Sequence, residues 1–119
     1  MKNYKDIERN VIFLYSFGVS LNEYMRIAMH YILQGNVVIY PALLFTEIID
    51  DWDSWLNKLT DGHKRDILID LKMSDCDRIG MSNEVVIVTK DNIRNQDIDS
   101  IEQIAKSLDK EVTHIIDTD

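Results

Sequence analysis

The chain has 119 residues, of which 45% are hydrophobic and 29% are charged. This composition excludes an intrinsically disordered chain, and the length is enough to bury roughly 65% of the unfolded surface without disulfides. The formal charge is −8, from 21 acidic and 13 basic residues. Such a surplus of acid disfavours direct binding to nucleic acid or to an anionic membrane, and a basic protein is the complementary partner.

The cysteine content and the opening stretch indicate where the protein works. Cys76 is the single cysteine, so no disulfide can form within the chain and a reducing cytoplasm is expected. Charged residues interrupt the stretch from Lys2 to Arg9, which therefore does not resemble a signal peptide. No apolar run is long enough to span a bilayer. We expect a cytoplasmic protein that does not bind membranes.

The first part of the chain is predicted to form a pair of antiparallel helices. Residues 4–17 carry apolar side chains at helical spacing, and Gly18 suits the end of a helix. Ser20 and Glu23 form a capping box, which predicts a second helix over residues 21–33. The buried face of this second helix is expected to hold Met25, Ala28 and Ile32.

Residues 35–59 contain both tryptophans, the only proline and the densest group of acidic residues. Residues 36–40 hold a β-branched and aromatic run, which favours a short strand. Pro41 then suits the first position of an amphipathic helix over residues 41–59, which Gly62 would end. One kinked helix over residues 36–59 is the alternative. The expected buried face holds Phe45, Ile48, Ile49, Trp52, Trp55, Leu56 and Leu59.

The second half of the chain reads as a β-α-β-like passage. Residues 66–73 alternate apolar and polar side chains, which favours a half-buried strand, with a short helix as the alternative. Residues 74–83 are polar and are expected to form a loop, and residues 84–90 form the clearest strand. The remaining elements are a helix over residues 100–108, capped by Asp99, and a strand over residues 111–116.

These elements predict an α+β fold in a single domain over residues 1–119. The N-terminal helical pair and the central amphipathic helix are expected to pack on a small mixed β-sheet of three to four strands. Residues 1–60 hold every aromatic side chain and are expected to form a mainly helical layer. Residues 61–119 are aliphatic and acidic and are expected to form a second layer.

Glu47, Asp50, Asp51 and Asp53 form the tightest acidic cluster and are the candidate partner-binding residues. On an amphipathic helix they face water, opposite the tryptophans, and offer a negative surface to a basic protein. A solvated helix face without any partner explains the same spacing.

A small enzyme that uses clustered carboxylates, with or without a divalent metal, is the alternative function. His63 or His114 would then join the acidic cluster from elsewhere in the fold. The sequence lacks the GxSxG, HExxH and CxxC motifs, the phosphate-binding motif GxxxxGK(S/T) and a GxGxxG turn. Residues 91–102 imitate a calcium loop, but Ile93 occupies a ligand position and Gln96 replaces the required glycine. We therefore predict no catalytic residue, no metal site and no cofactor.

The leading hypothesis is an acidic protein-binding module. Small acidic proteins without catalytic motifs are common among inhibitors of basic toxins and nucleases. We therefore expect an immunity protein or antitoxin that neutralises a basic toxin or nuclease by direct binding. Electrostatic steering would make its association fast and sensitive to salt.

Overall fold

The computed structural model describes residues 9–44, 51–91 and 93–117. The described strands are β1 (Val11–Phe17), β2 (Val37–Ile39), β3 (Glu84–Lys90) and β4 (Glu111–Asp117). The described helices are α1 (Leu21–Leu33), α2 (Trp52–Asn57), α3 (Asp61–Met81) and α4 (Gln96–Ser107), with a 3₁₀ helix at Ala42–Leu44. The strands form one sheet in the order β2-β1-β3-β4, and every pair is parallel. The prediction of a fold that combines helices with a sheet is confirmed, but the expected mixed sheet is wrong.

The central strand β1 separates two hydrophobic cores. Phe13 and Tyr15 pack against α3 and α4 on one face of the sheet. Ile12 and Leu14 pack against α1 on the other face. Because helices cover both faces, β1 needs apolar side chains at consecutive positions rather than at alternate ones. β3 follows the same rule with Val85, Val86, Ile87 and Val88, all of which are fully buried.

The expected helix over residues 4–17 is wrong in its described part, because residues 11–17 form β1. The antiparallel helical pair at the N-terminus is therefore wrong as well. Its apolar residues fit a helical period, but a continuous apolar run fits a strand buried on both faces equally well. Gly18 does end the element, with φ +77°, but it does so in the turn that leads from β1 into α1.

α1 covers residues 21–33 as predicted. Its start is fixed by Ser20, whose Oγ accepts a 3.1 Å hydrogen bond from the backbone N–H of Glu23. The expected buried face is only partly right. Ala28 is buried, whereas Met25 and Ile32 are exposed.

Tyr24 is the residue through which α1 is bonded to the centre of the sheet. Its ring is 1% exposed, and its hydroxyl donates a 2.7 Å hydrogen bond to the backbone oxygen of Leu14 in β1. A buried hydroxyl requires such a partner, and the carbonyl oxygen supplies it. The ring of Tyr40, after β2, lies 6.1 Å from that of Tyr24.

The expected amphipathic helix over residues 41–59 is interrupted. The strand β2 forms as predicted. Among the described residues, Pro41 is followed by the 3₁₀ helix at Ala42–Leu44 and then by α2. Asp51 has φ 61°, a left-handed conformation that an uninterrupted right-handed helix excludes. No residue of α2 is buried, and Trp55 is 46% exposed. The assignment of Trp52 and Trp55 to the core is therefore wrong; Phe45, Ile48 and Ile49 lie outside the described residues.

α3 covers residues for which the sequence predicts a helix end at Gly62, a strand over residues 66–73 and a loop over residues 74–83. Thr60 caps its start, because its hydroxyl oxygen accepts a 3.3 Å hydrogen bond from the N–H of His63. Gly62 therefore lies within the first turn of a helix rather than at the end of one. The strand over residues 66–73 and the loop over residues 74–83 are wrong, and the alternative of a helix is closer.

Two side chains of α3 hold the segment that follows β2. Asp75 is buried, and its carboxylate accepts a hydrogen bond from the backbone N–H of Ala42. Arg78 donates a 2.9 Å hydrogen bond to the backbone oxygen of Tyr40. Charge-assisted hydrogen bonds of this kind fix the path of the chain where the strand ends.

The last three elements agree with the prediction in type. β3 covers residues 84–90 as expected, and β4 extends the expected strand by one residue. α4 begins at Gln96, because Asn95 accepts a 2.8 Å hydrogen bond from the N–H of Ile98. Asp99 lies in the first turn of α4, so its expected capping role is wrong.

The expected helical layer over residues 1–60 and the expected β-α-β-like layer over residues 61–119 share one sheet. β1 and β2 come from the first range, and β3 and β4 come from the second, yet all four belong to one sheet. Among the described residues, no helix has the length and apolar character needed to cross a membrane.

Tyr24→Phe tests the bond between α1 and β1. Losing the hydroxyl removes a buried hydrogen bond and should lower the free energy of unfolding at neutral pH by about 1–3 kcal/mol. Burial raises the pKa of Tyr24 above its ordinary value of 10.0, with smaller contributions from Tyr40 and Asp75. Because unfolded tyrosine ionises first, the wild type loses this contribution as the pH rises above 10. Urea unfolding should show that the difference in free energy of unfolding between the wild type and Tyr24→Phe becomes smaller above pH 10. A difference that stays constant with pH would contradict the buried hydrogen bond of Tyr24.

Candidate functional site

A polar crevice of about 300 Å³ lies at the carboxyl edge of the sheet. The chain leaves β1 through α1 toward β2 on one side, whereas β3 and β4 lie on the other side of β1. Open parallel sheets bind ligands where the strand order reverses in this way, outside the carboxyl ends of the strands. The lining residues come from the β1–α1 turn, the first turn of α1 and the ends of β3 and β4: Gly18, Val19, Ser20, Glu23, Lys90 and Asp117.

Gly18 determines how closely the end of β1 approaches the end of β3. A Cβ atom added at Gly18 would lie 3.0 Å from the Cβ of Lys90. The φ of Gly18 is +77°, which side chains rarely tolerate. Glycine is therefore needed here both for the backbone conformation and for the contact with Lys90.

The crevice combines one cation with two carboxylates. Lys90 and Asp117 are register partners at the ends of β3 and β4, and Glu23 comes from the first turn of α1. Among the described residues, no ion pair involves the ammonium group of Lys90. The N-terminus of α1 adds a positive potential through the helix dipole. The arrangement can bind an anionic group at Lys90 and hydroxyl or amino groups at the carboxylates.

A second cavity lies between α3 and α4 and is mainly apolar. Asp75 and Asp97 contribute carboxylates to its wall, and Cys76 lies beside them. Its volume is about 70 Å³. Pockets that bind small molecules usually have several hundred cubic ångströms, so the crevice is the better candidate.

A charged network joins α4 to β4 and to the loop before α4. Glu102 accepts a 2.8 Å hydrogen bond from Arg94, and its Oε1 lies 2.9 Å from the Nε2 of His114. Arg94 also donates to Asp99 at 2.7 Å, and these hydrogen bonds to Asp99 and Glu102 raise its pKa. Asp99 and Glu102 therefore bind Arg94 rather than cap the start of α4. Exposed ion pairs of this kind contribute little to stability.

The predicted partner-binding cluster is described in part. Asp51 and Asp53 are exposed at the start of α2, while Glu47 and Asp50 lie outside the described residues. In the sequence, Trp52 lies between Asp51 and Asp53, and Trp55 follows two residues later. The ring centroids of the two tryptophans are 5.2 Å apart. The structure thus places two of the four predicted carboxylates beside a partly exposed tryptophan pair.

The histidines of the alternative hypothesis lie in separate elements. His63 is exposed in the first turn of α3, and His114 lies in β4 with its Nε2 2.9 Å from Glu102 of α4. Within residues 9–44, 51–91 and 93–117, neither histidine forms a hydrogen bond or ion pair with Asp51. The same ranges contain no group of three or more metal-binding side chains in one place.

No protein-family model matches the chain, and no curated protein matches its sequence. The candidate site therefore depends on geometry and chemistry. Sequence reasoning assigned Gly18 to the end of one helix, Ser20 and Glu23 to the start of the next helix and Lys90 to a strand, and it did not connect them. The signal that could have connected them is position: Gly18 and Lys90 lie where strands end, and parallel strands end at one edge.

Gly18→Ala should destabilise the fold more than Gly35→Ala. The two glycines have φ values of +77° and +93°, so alanine is strained at both, at a cost of roughly 1–3 kcal/mol. Only Gly18 has a close neighbour, since nothing lies within 4 Å of a Cβ at Gly35. Urea unfolding of the two variants compares the strain with and without the contact to Lys90. Equal losses would show that Gly18 does not set the approach of β1 to β3.

Proposed function

We propose that the chain binds a small molecule that carries both an anionic group and hydroxyl groups. The observation that supports this proposal is the polar crevice at the reversal of strand order, where Lys90 lies with Glu23 and Asp117. Its position follows the rule for open parallel sheets, and its volume of about 300 Å³ suits a ligand of a few heavy atoms.

The charges of the crevice define the class of ligand. A phosphate or carboxylate group would bind the ammonium of Lys90 and the positive end of α1. Hydroxyl groups would donate hydrogen bonds to Glu23 and Asp117. Ser20 accepts from the N–H of Glu23, so its own hydroxyl hydrogen can still donate to the ligand. A purely anionic ligand would be repelled by the two carboxylates, and a neutral polyol would offer the ammonium of Lys90 no group of opposite charge.

Glycerol 3-phosphate is a simple probe of this class, and inorganic phosphate and glycerol each supply half of it. Titration monitored by NMR should shift the backbone amides of Val19, Ser20 and Asp91 with glycerol 3-phosphate, and less with either half. Lys90→Met should weaken binding about tenfold or more, because a charge-assisted hydrogen bond is lost. Lys110→Met is the matched control, since Lys110 precedes β4 at the opposite edge of the sheet.

Two results would contradict the proposal. One is the absence of amide shifts in the crevice at millimolar glycerol 3-phosphate. The other is equal weakening by Lys90→Met and Lys110→Met, which would indicate a general effect of net charge. Circular dichroism of both variants would confirm that they retain the fold.

A second candidate function is supported by a different observation, the partly exposed tryptophans beside Asp51 and Asp53. Tryptophan is enriched among the residues that dominate the energy of protein interfaces. Acidic side chains around such an anchor steer a basic partner and make its association sensitive to salt. This pattern supports an acidic protein-binding module, such as an immunity protein or antitoxin for a basic toxin or nuclease. Glu47 and Asp50 are the other proposed contact residues.

Trp55→Ala should separate binding from stability. Because Trp55 is 46% exposed, its loss should change the free energy of unfolding by about 1 kcal/mol or less. The same change should abolish capture of a basic partner in a low-salt pull-down from the native host. The double variant Asp51→Asn, Asp53→Asn should slow association and flatten its dependence on salt.

Leu33→Ala is the control for Trp55→Ala, because Leu33 is 80% exposed at the end of α1. If both variants retain the same basic protein, the tryptophan pair is not the anchor. If Trp55→Ala lowers the urea midpoint as strongly as a core substitution does, the tryptophan supports the fold instead.

A further inference from the structure

α3 carries an apolar stripe along one side that is exposed except at the half-buried Cys76. Ile69, Met73 and Cys76 follow one another at steps of four and three residues, and the first two are 46% and 62% exposed. Gly80 continues the spacing without a side chain, and a Cβ there would lie 4.0 Å from the Cδ1 of Leu108. Leu108 is 45% exposed and lies beside Gly80, so its side chain extends the apolar surface past the glycine. We call Ile69, Met73, Cys76 and Leu108 the α3 stripe.

An open, mainly apolar groove of about 580 Å³ runs beside the stripe. It lies where the C-terminal ends of α3 and α4 approach each other, and Met81 and Ile104 line it together with Cys76, Gly80 and Leu108. The groove gives room for the side chains of a helix laid along α3. Steps of four and three residues are the spacing at which two helices interlock their apolar side chains.

Charged residues flank the stripe in an ordered way. Arg65 and Lys72 lie on one flank, Asp70 and Asp77 lie on the other, and all four are exposed. When the stripe is numbered as the a and d positions of a heptad, the two bases occupy g and the two acids occupy e, and the exposed Asp66 occupies the a position before Ile69. In a parallel helix pair, each g residue faces the e residue five positions later in the other helix.

This spacing distinguishes among the possible occupants of the stripe. In a parallel pair of α3 helices, Arg65 faces Asp70 of the second copy and Lys72 faces Asp77 of the second copy. In an antiparallel pair, base would face base and acid would face acid. A strongly basic partner would be repelled by Arg65 and Lys72 on one flank of the stripe. A second copy of the same chain, in parallel orientation, is the complementary occupant.

We propose that two copies of this chain associate through the α3 stripe, with their α3 helices parallel about a two-fold axis. The interface is isologous, so the same residues are buried on both copies. Two kinds of ion pair, each present twice, set the orientation, and the apolar stripe supplies the driving force. This inference is independent of the crevice and of the tryptophan pair.

The only cysteine reports the geometry of the proposed dimer. Cys76 occupies a d position, is half-buried, and lines both the cavity between α3 and α4 and the groove. In a parallel two-fold pair it therefore lies at the edge of the groove, beside Cys76 of the second copy. Diamide removes one hydrogen from each thiol and is reduced to its hydrazine, leaving a disulfide between the copies. Parallel pairing in register predicts efficient linkage by diamide, and Cys76→Ser should abolish the link while leaving the dimer intact.

Sedimentation velocity of the full chain over a range of concentrations tests the association. Met73→Asp should raise the dissociation constant of the dimer about 30-fold or more, because it places charge at the centre of the stripe. Met25→Asp is the matched control, since Met25 is 48% exposed on α1 and should leave the dissociation constant unchanged. Arg65→Glu should weaken the dimer about tenfold, and adding Asp70→Arg should restore it.

Each outcome decides the proposal. A chain that is monomeric at every concentration overturns it, as does a dimer that Met73→Asp leaves unchanged. A dimer that diamide does not link, or one that the Arg65→Glu and Asp70→Arg double variant does not restore, overturns the parallel arrangement. Circular dichroism shows whether the variants fold. Because Arg65 and Asp70 are exposed, the charge-reversal test holds even if Met73→Asp does not fold.

Discussion

The pairing of β1 with β3 is the constraint on which the rest of the structure depends. The two strands are in register from Ile12 and Glu84 to Phe17 and Thr89. Their central residues are buried on both faces, and each large aliphatic side chain contributes roughly 1.5–3 kcal/mol by leaving water. That burial requires helices on both sides of the sheet, which is why α1 lies on one face while α3 and α4 lie on the other.

Asn83 fixes this register at the amino end of the two strands. Its side-chain oxygen accepts a 2.8 Å hydrogen bond from the N–H of Val11, and its own N–H donates a 2.7 Å bond to the oxygen of Val11. Because side chains alternate with a period of two, a slip by one residue would exchange the two cores. The same register brings the carboxyl ends of β1 and β3 to one level, where Gly18 meets Lys90. The crevice is therefore a consequence of strand alignment.

Elements defined by local chemistry could be predicted from the sequence. α1 begins at a serine cap and ends where predicted, and β3 is a run of β-branched residues that matches its predicted bounds. β1 could not be distinguished from a helix, because a strand buried on both faces loses the alternation that marks a strand. α3 was missed because its first half lies mostly outside the core, so Leu68, Ile69 and Met73 are exposed and blur its helical period. Its burial is concentrated at Asp75 and Ile79, late in the helix.

The candidate site was beyond sequence reasoning for a related physical reason. Ser20 and Glu23 were correctly read as a helix start, yet their neighbours in the crevice, Lys90 and Asp117, come from strands far along the chain. Their proximity depends on the strands being parallel and on β1 lying between β2 and β3. A mixed sheet, as predicted, would have sent some strand ends to the opposite edge. The direction of the strands, rather than the identity of any residue, was the missing information.

The net charge of the chain is distributed unevenly between the surface of α3 and the rest of the molecule, which includes the crevice. α3 carries five acidic and four basic residues, so nearly all of the net charge of −8 lies elsewhere in the chain. Two copies can therefore approach through α3 without strong local repulsion, and screening over about 8–10 Å at physiological salt weakens the repulsion between more distant charges. The crevice is lined by α1 and the strand ends, and α1 packs on the face opposite α3. Pairing through α3 thus leaves the crevice open to a ligand, and an anionic ligand overcomes the overall negative charge only by direct contact with Lys90.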